Sequence, residues 1–472
     1  MDLTTALKEY FGYTTFKPGQ EEVLQEIMAG NNCLGILPTG TGKTLCYSLP
    51  GLLRPGLTLI VSPLIALMEE QSQRLNQLQK NSAAYLNSSL NKEQQDYLLQ
   101  RLGRLKFLLL SPEMLQSPRL MAQLTKISLQ MAVLDEAHCL SQWGFDFRPE
   151  YLQVLPQLQR LQVPQILALT ATCTPQVAED IARYLFKDVS YELVRLPVDR
   201  PNIGLIVKTL PDEDARQAFI ATTLPRLKAP GIIYCNTRRK TEELTATLLQ
   251  LGLKASYYHG GLKPQERQVL QRQFRMGTLD WMVATNAFGM GINKNNLRAV
   301  LHYELPQSLE HYVQEIGRCG RDGAQGVAIL LYVPQDERVQ QHFARERQEW
   351  VEHLAQERVL PEHNVADFWQ KQISQQPTAK DKILTLLKER NHLQLQQQQA
   401  MLAYIHEEGC LRQKIAAYFH DPAPQENSQC CSFHQLAVTA YFNEEQVTAP
   451  PTMPPTTWQE HFHQLFPRKT FS

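Results

Sequence analysis

At 472 residues the chain is too long for one compact core, so two to four domains are expected. Its 47 basic and 47 acidic residues balance, which excludes a global attraction to polyanions and leaves any nucleic-acid contact to local placement of charge. No apolar run reaches bilayer-spanning length, Met1–Tyr10 carries Asp2, Lys8 and Glu9 instead of a signal-peptide pattern, and the nine cysteines are odd in number and mostly scattered; together these predict a soluble, unexported protein of the reducing cytoplasm with no membrane partner.

In chain order, short aliphatic runs alternate with amphipathic helical stretches from Asn31 to about Val194, which predicts a parallel sheet covered by helices on both faces. Expected strands are Cys33–Leu37, Leu57–Ser62, Phe107–Leu110, Met131–Leu134 and Ile166–Leu169. A second series follows Asp199-Arg200-Pro201-Asn202, with strands at Gly231–Tyr234, Ala255–Tyr258, Trp281–Ala284, Ala299–Tyr303 and Gly326–Tyr332. The reading is α/β: two tandem doubly wound lobes, residues 1–205 and 206–340, and a small helical module over 341–434. A Pro-rich linker and short tail over 435–472 complete it, with Trp458, Phe462, Leu465 and Phe466 at helical spacing.

The first expected strand runs into Pro38-Thr39-Gly40-Thr41-Gly42-Lys43-Thr44 and an apolar helix. Glycines let backbone N–H groups wrap phosphate oxygens, Lys43 neutralises the outer phosphates, and the Thr44 hydroxyl can ligate Mg²⁺. The strict phosphate-loop pattern has glycine where Leu37 stands, so the loop alone would also suit a plain strand-to-helix turn; the flanking elements favour ATP. Downstream, the strand Met131-Ala132-Val133-Leu134 ends in Asp135-Glu136-Ala137-His138, placing Asp135 to hold Mg²⁺ and Glu136 to activate water. In the second lobe, Arg318 and Arg321 offer permanently charged guanidinium groups. On closure of the lobes these would stabilise the transferred phosphoryl group, an effect worth roughly 10³–10⁵ in rate.

Several segments together resemble the RecQ family of DNA helicases: Phe16-Lys17-Pro18-Gly19-Gln20, Ser62-Pro63-Leu64-Ile65-Ala66-Leu67-Met68, Asp135-Glu136-Ala137-His138-Cys139-Leu140-Ser141-Gln142-Trp143-Gly144, Leu169-Thr170-Ala171-Thr172 and Ala287-Phe288-Gly289-Met290-Gly291-Ile292-Asn293. The resemblance covers about Tyr13 to Tyr332 and implies RecA-like lobes that move 3′→5′ along single-stranded DNA and unwind partially duplex DNA in repair or recombination. It implies that Gln20 reads adenine, that Lys17 helps hold the nucleotide, and that Thr170 and Thr172 couple nucleotide state to lobe movement. Thr285, Gly289, Gly291 and Asn293 resemble the second-lobe counterpart near DNA and ATP. The segment holding Trp143, Phe145, Phe147 and Arg148 resembles the aromatic loop that makes hydrolysis depend on bound DNA, and aromatic faces stack on unpaired bases. Core packing is the alternative for any single aromatic. Ser62 and Asn236 are expected at the strand's phosphates and sugars.

The family's zinc module is matched in part. Gly409-Cys410-Leu411-Arg412-Gln413 resembles its first half, but Ser428 stands where its second cysteine is expected and His434 where its last one is. Cys410, Cys430, Cys431 and His434 are therefore the candidate Zn²⁺ ligands, a metal-free module with buried thiols being the alternative. The winged-helix and further helical domains of larger relatives have no room after His434, which leaves a short form or a truncated chain. Alternatives in activity are a DNA-stimulated translocase or scaffold with weak unwinding, and an RNA helicase.

Overall fold

The computed structural model describes residues 2–63, 65–87, 90–142, 149–288, 294–356, 369–371, 373–374, 380–425 and 430–443. The chain divides into two compact units. One comprises Met1–Asp199, Phe343–Gln396 and Ala416–Ala423; the other comprises Arg200–His342, Gln397–Ile415 and Pro424–Ser472. The division precedes the expected boundary at 205, and hydrogen bonding explains it. The Arg200 guanidinium donates to the carbonyls of Gly317, Cys319 and Gly320, and the Asn202 amide to those of Gly320 and Ala324, so these residues belong to the second unit. Within 341–434, Phe343–Gln396 and Ala416–Ala423 group with the first unit and Gln397–Ile415 with the second.

The first unit is built on β1 (Cys33–Ile36), β2 (Leu57–Val61), β3 (Ala83–Leu86), β4 (Phe107–Leu110), β5 (Leu129–Asp135), β6 (Ile166–Thr170) and β7 (Glu192–Arg195). They form a wholly parallel sheet in the order β3-β4-β2-β5-β6-β1-β7. Helices cover both faces, so successive strand residues serve opposite cores. Leu59 and Leu134 join one hydrophobic cluster, while their neighbours Ile60 and Val133 join the other. Because every strand runs the same way, the residues after β1, β2, β5 and β6 emerge along one edge, where ligands of such sheets bind.

The second unit holds β8 (Ile203–Thr209), β9 (Gly231–Tyr234), β10 (Ala255–Tyr258), β11 (Trp281–Ala284), β12 (Ala299–His302) and β13 (Gly326–Tyr332), parallel in the order β10-β11-β9-β12-β13-β8. Sequence reading missed β3, β7 and β8. Each is an edge strand, and β7 is exposed or half-buried throughout, so the apolar run that marks a central strand is absent.

Beyond β13 the expected helical character appears as Asp336–Ala355, Lys380–Ile405 and Leu411–Phe419. Trp350, Val351 and Leu354 pack with Trp369, Leu384 and Leu387 as a separate small core. Trp458, Phe462, Leu465 and Phe466 lie outside the described residues. Among those described, no helix is long and apolar enough to cross a membrane.

Candidate functional site

The loop after β1 bends through Gly40 and Gly42, whose φ values of 91° and 78° lie where only glycine is unstrained. Leu37, the departure from the strict pattern, still bonds in sheet fashion, its N–H donating to the Thr170 carbonyl, and its side chain is fully buried in the core. A glycine is not needed there because the loop turns three residues later. Thr44 stands at the N-terminal cap of the helix Leu45–Leu53.

Lys17 and Gln20 fold onto this loop. The Lys17 ammonium donates to the Gly40 carbonyl at 2.9 Å. The buried Gln20 amide donates to the carbonyls of Thr41 and Gly42 at 2.6 and 3.1 Å, and its oxygen accepts from the Lys17 N–H at 2.8 Å. Gln20 therefore has both ends of its amide engaged, and reading an adenine requires exchanging these bonds for bonds to the base.

Asp135 ends β5 with only 5% of its surface exposed. One carboxylate oxygen accepts from the Glu136 N–H at 3.1 Å and the other from the Gln71 amide at 3.0 Å. Burial pushes its carboxyl up to about 6 and Glu136 adds to the rise, against the opposing pull of Lys43 and the Gln71 hydrogen bond. Lys43 and Asp135 thus belong to one electrostatic site at the shared strand edge. Glu136 adopts φ 53°, a left-handed conformation uncommon for a side-chain-bearing residue.

A second set of bonds joins the ends of β5 and β6. His138 Nδ1 lies 2.9 Å from the Thr170 hydroxyl and 3.4 Å from a Glu136 carboxylate oxygen. The Thr170 hydroxyl also lies 3.2 Å from the Thr172 carbonyl, so it links the His138 ring to the backbone after β6. Gln71 was missed at the level of sequence, although a signal existed: it falls on the stripe of the helix Ile65–Leu78 between the buried Met68 and Leu75.

In the second unit, Arg318 is buried to 4% exposure and hydrogen-bonded to Tyr234, whose hydroxyl donates to the Phe288 carbonyl at 3.0 Å. Arg321 is half-buried and adds its charge near the same phenol. His302 Nε2 sits 2.7 Å from a Glu315 carboxylate oxygen, fixing the start of the arginine segment to the end of β12. The Asn236 amide donates to the Leu305 carbonyl at 3.1 Å, so its nitrogen is engaged within the protein.

Ser62 is fully buried, so its hydroxyl does not face the solvent in which a strand would lie. Trp143, Phe145, Phe147 and Arg148 lie outside the described residues, as do Gly289, Gly291 and Asn293.

Cys410, Cys430, Cys431 and His434 converge, all four ligand atoms lying within 4.8 Å of one another. Cys410 Sγ is 3.6 Å from Cys430 Sγ and 4.0 Å from Cys431 Sγ, and His434 Nδ1 is 3.3 and 3.4 Å from the two latter sulfurs. Zn–S and Zn–N bonds of about 2.3 and 2.1 Å give tetrahedron edges of roughly 3.6–3.8 Å, so the donor set fits Zn²⁺ in both chemistry and spacing. Although burial raises the Cys431 thiol, hydrogen bonds from His434 and from the Leu411 N–H outweigh it and bring it down to about 7, toward the thiolate that a metal needs.

Comparison with known proteins agrees with this arrangement. Residues 17–181 match the DEAD/DEAH box helicase family, 217–323 the helicase conserved C-terminal domain, and 368–435 the RecQ zinc-binding family. The probable ATP-dependent DNA helicase RecS of Bacillus subtilis is 35% identical over 99% of this chain and 98% of its own length. The ATP-dependent DNA helicase RecQ of Haemophilus influenzae is 41% identical over 70% of this chain, of which it is the longer: the match spans 53% of that protein. Among solved structures, the helicase Lhr of Mycobacterium smegmatis bound to ssDNA and AMP-PNP has a TM-score of 0.59 at 23% identity, covering 69% of this chain and 47% of its own. Yeast Dbp5 bound to RNA and ADP BeF3 has a TM-score of 0.58 at 20% identity, covering 71% and 89%. These two likenesses concern the fold. With both helicase regions and the zinc-binding region matched in order, and a RecS relative matched over nearly its whole length, the chain belongs to the RecQ/RecS family of ATP-dependent DNA helicases.

Proposed function

We propose that this helicase uses ATP and Mg²⁺ to move 3′→5′ on single-stranded DNA and to open partially duplex DNA in repair or recombination, in the cytoplasm. The observation that carries the ATPase part is the buried Asp135 carboxylate sharing one electrostatic site with Lys43. Lys43 offsets the charge of the terminal phosphates, while Thr39, Gly40, Thr41 and Gly42 wrap them. Thr44 and Asp135 would hold Mg²⁺, their oxygens being the donors that this hard ion prefers, and the ion supplies positive charge to the phosphates. Glu136 takes a proton from the attacking water as its oxygen bonds the γ-phosphorus. The bond from that phosphorus to the bridging oxygen breaks, leaving ADP and inorganic phosphate. Arg318 and Arg321 stabilise the charge on the phosphoryl group in flight.

The contacts that run from His138, 3.4 Å from a Glu136 carboxylate oxygen, through Thr170 to the Thr172 carbonyl support a link between hydrolysis and the motif after β6. For DNA, the aromatic residues Trp143, Phe145 and Phe147 stack on bases and Arg148 pairs with phosphate, a sequence-tolerant mode. Zn²⁺ on Cys410, Cys430, Cys431 and His434 has a structural role.

The test is ATP- and Mg²⁺-dependent strand separation of a DNA duplex with a 3′ single-stranded tail, beside its 5′-tailed twin and an RNA counterpart. Opening of the 3′-tailed DNA alone supports the proposal. DNA-stimulated hydrolysis with no opening supports a translocase, and preference for the RNA substrate overturns the choice of DNA.

A further inference from the structure

A buried amide beside Asp135 has no task in hydrolysis as described. Gln71 lies on the helix Ile65–Leu78, is 6% exposed, and donates to Asp135 Oδ2 at 3.0 Å. A carboxylate only accepts, so this bond fixes which end of the amide faces it: the nitrogen points at Asp135 and the oxygen points elsewhere. That oxygen is buried and accepts no hydrogen bond from any of the described residues. A buried acceptor left unpaired is costly, and in native proteins it commonly marks a place where a ligand or ordered water completes the set.

The setting says what that partner is. Asp135 Oδ1 is held by the Glu136 N–H and Oδ2 by Gln71, so the carboxylate is oriented on both sides and by groups from two different elements. Mg²⁺ dehydrates reluctantly and keeps several of its waters when it binds to one or two protein oxygens. Protons of those waters point away from the ion, toward acceptors in the surrounding shell. Such outer partners orient the ligands and tune the metal.

We infer that Gln71 is a positioning residue for hydrated Mg²⁺, its nitrogen aiming Asp135 and its oxygen accepting a hydrogen bond from a metal-bound water. The inference rests on the reading of Asp135 as a Mg²⁺ ligand. It assigns one side chain two tasks, and both vanish together when the amide is replaced by an apolar group of similar volume.

The experiment measures the Mg²⁺ concentration that half-saturates binding of a fluorescent, non-hydrolysable ATP analogue, on the full chain, with binding in EDTA as the reference. Gln71→Met keeps volume and removes both hydrogen bonds, and Gln71→Leu serves as a second replacement. The expected result is a rise of about 10–100-fold in half-saturating Mg²⁺, with analogue affinity in EDTA and the melting temperature held near wild type. A role confined to packing would shift the melting temperature and leave the Mg²⁺ requirement alone, and that result overturns the inference. Asp135→Asn is run in parallel and should abolish the Mg²⁺ dependence. A wild-type Mg²⁺ requirement in Asp135→Asn overturns the metal-ligand reading itself, whereas the same result in the Gln71 variants alone removes only the role of Gln71.

Discussion

Stripping the metal from the Cys410, Cys430, Cys431 and His434 cluster should uncover the open edge of the second sheet. β8 is the last strand of that sheet, so one side of its backbone has no strand neighbour. The cysteine segment covers it: Leu205 pairs with Cys431, the Leu205 N–H donates to the Cys430 carbonyl at 3.1 Å, and the Val207 N–H reaches the Ser432 hydroxyl at 3.4 Å. Next to these bonds, Tyr441 and Leu436 lie so close to Gly204 that a Cβ there would come within 2.2 Å of the tyrosine oxygen. Two hydrogen bonds at about 1 kcal/mol each, with burial of Leu436 at about 2 kcal/mol, make the cover worth roughly 4 kcal/mol. At a factor of ten for each ~1.4 kcal/mol, full release would speed amide exchange in β8 by roughly 10²–10³. The assay is hydrogen exchange by mass spectrometry before and after zinc release by a chelator, with Zn²⁺ quantified, and β5 in the first unit as the internal reference. Unchanged exchange over Ile203–Thr209 after complete zinc release would refute the reasoning, and a zinc content near zero in the purified protein would refute its premise.

Glu136→Gln should lower the turnover of ATP at least ~10²-fold while nucleotide binding persists, since the amide cannot accept the water's proton; single-turnover hydrolysis beside equilibrium binding checks this. Asp135→Asn should stabilise the metal-free protein. The folded carboxyl is raised to about 6 from 3.8, so the stability of the protonated form is lost as pH rises through that window, and the charged group costs on the order of 3 kcal/mol at neutral pH. Thermal melting should therefore give a higher midpoint for the variant at pH 7.5 and a vanishing difference near pH 4. Asp421→Ala should destabilise by about 1–3 kcal/mol in urea titration, because the buried carboxylate accepts from the Val198 N–H at 2.7 Å and pairs with the partly exposed Arg195 at 3.1 Å, and its loss leaves the Val198 N–H without its acceptor. Asp421→Asn should cost less, as its oxygen still accepts from Val198.

The sequence alone determined the motifs that sit on contiguous residues. Strand, glycine loop, lysine and threonine follow one another from Cys33 to Thr44, and Asp135-Glu136 follows an unbroken apolar run, so both motifs were legible from short-range pattern. Central strands were legible for the same reason, since burial on both faces demands uninterrupted apolar residues. Edge strand β7 escaped because its residues are exposed or half-buried, and the assignment of Arg200 to the second unit escaped because the carbonyls that claim it come from Gly317, Cys319 and Gly320. Only the tertiary structure could bring Cys410 within bonding distance of Cys430, Cys431 and His434, bury Ser62, or point the Gln71 amide at Asp135. Each of these depends on which segments pack together across long loops, and a local run of residues carries the propensity of an element but not the identity of its neighbours.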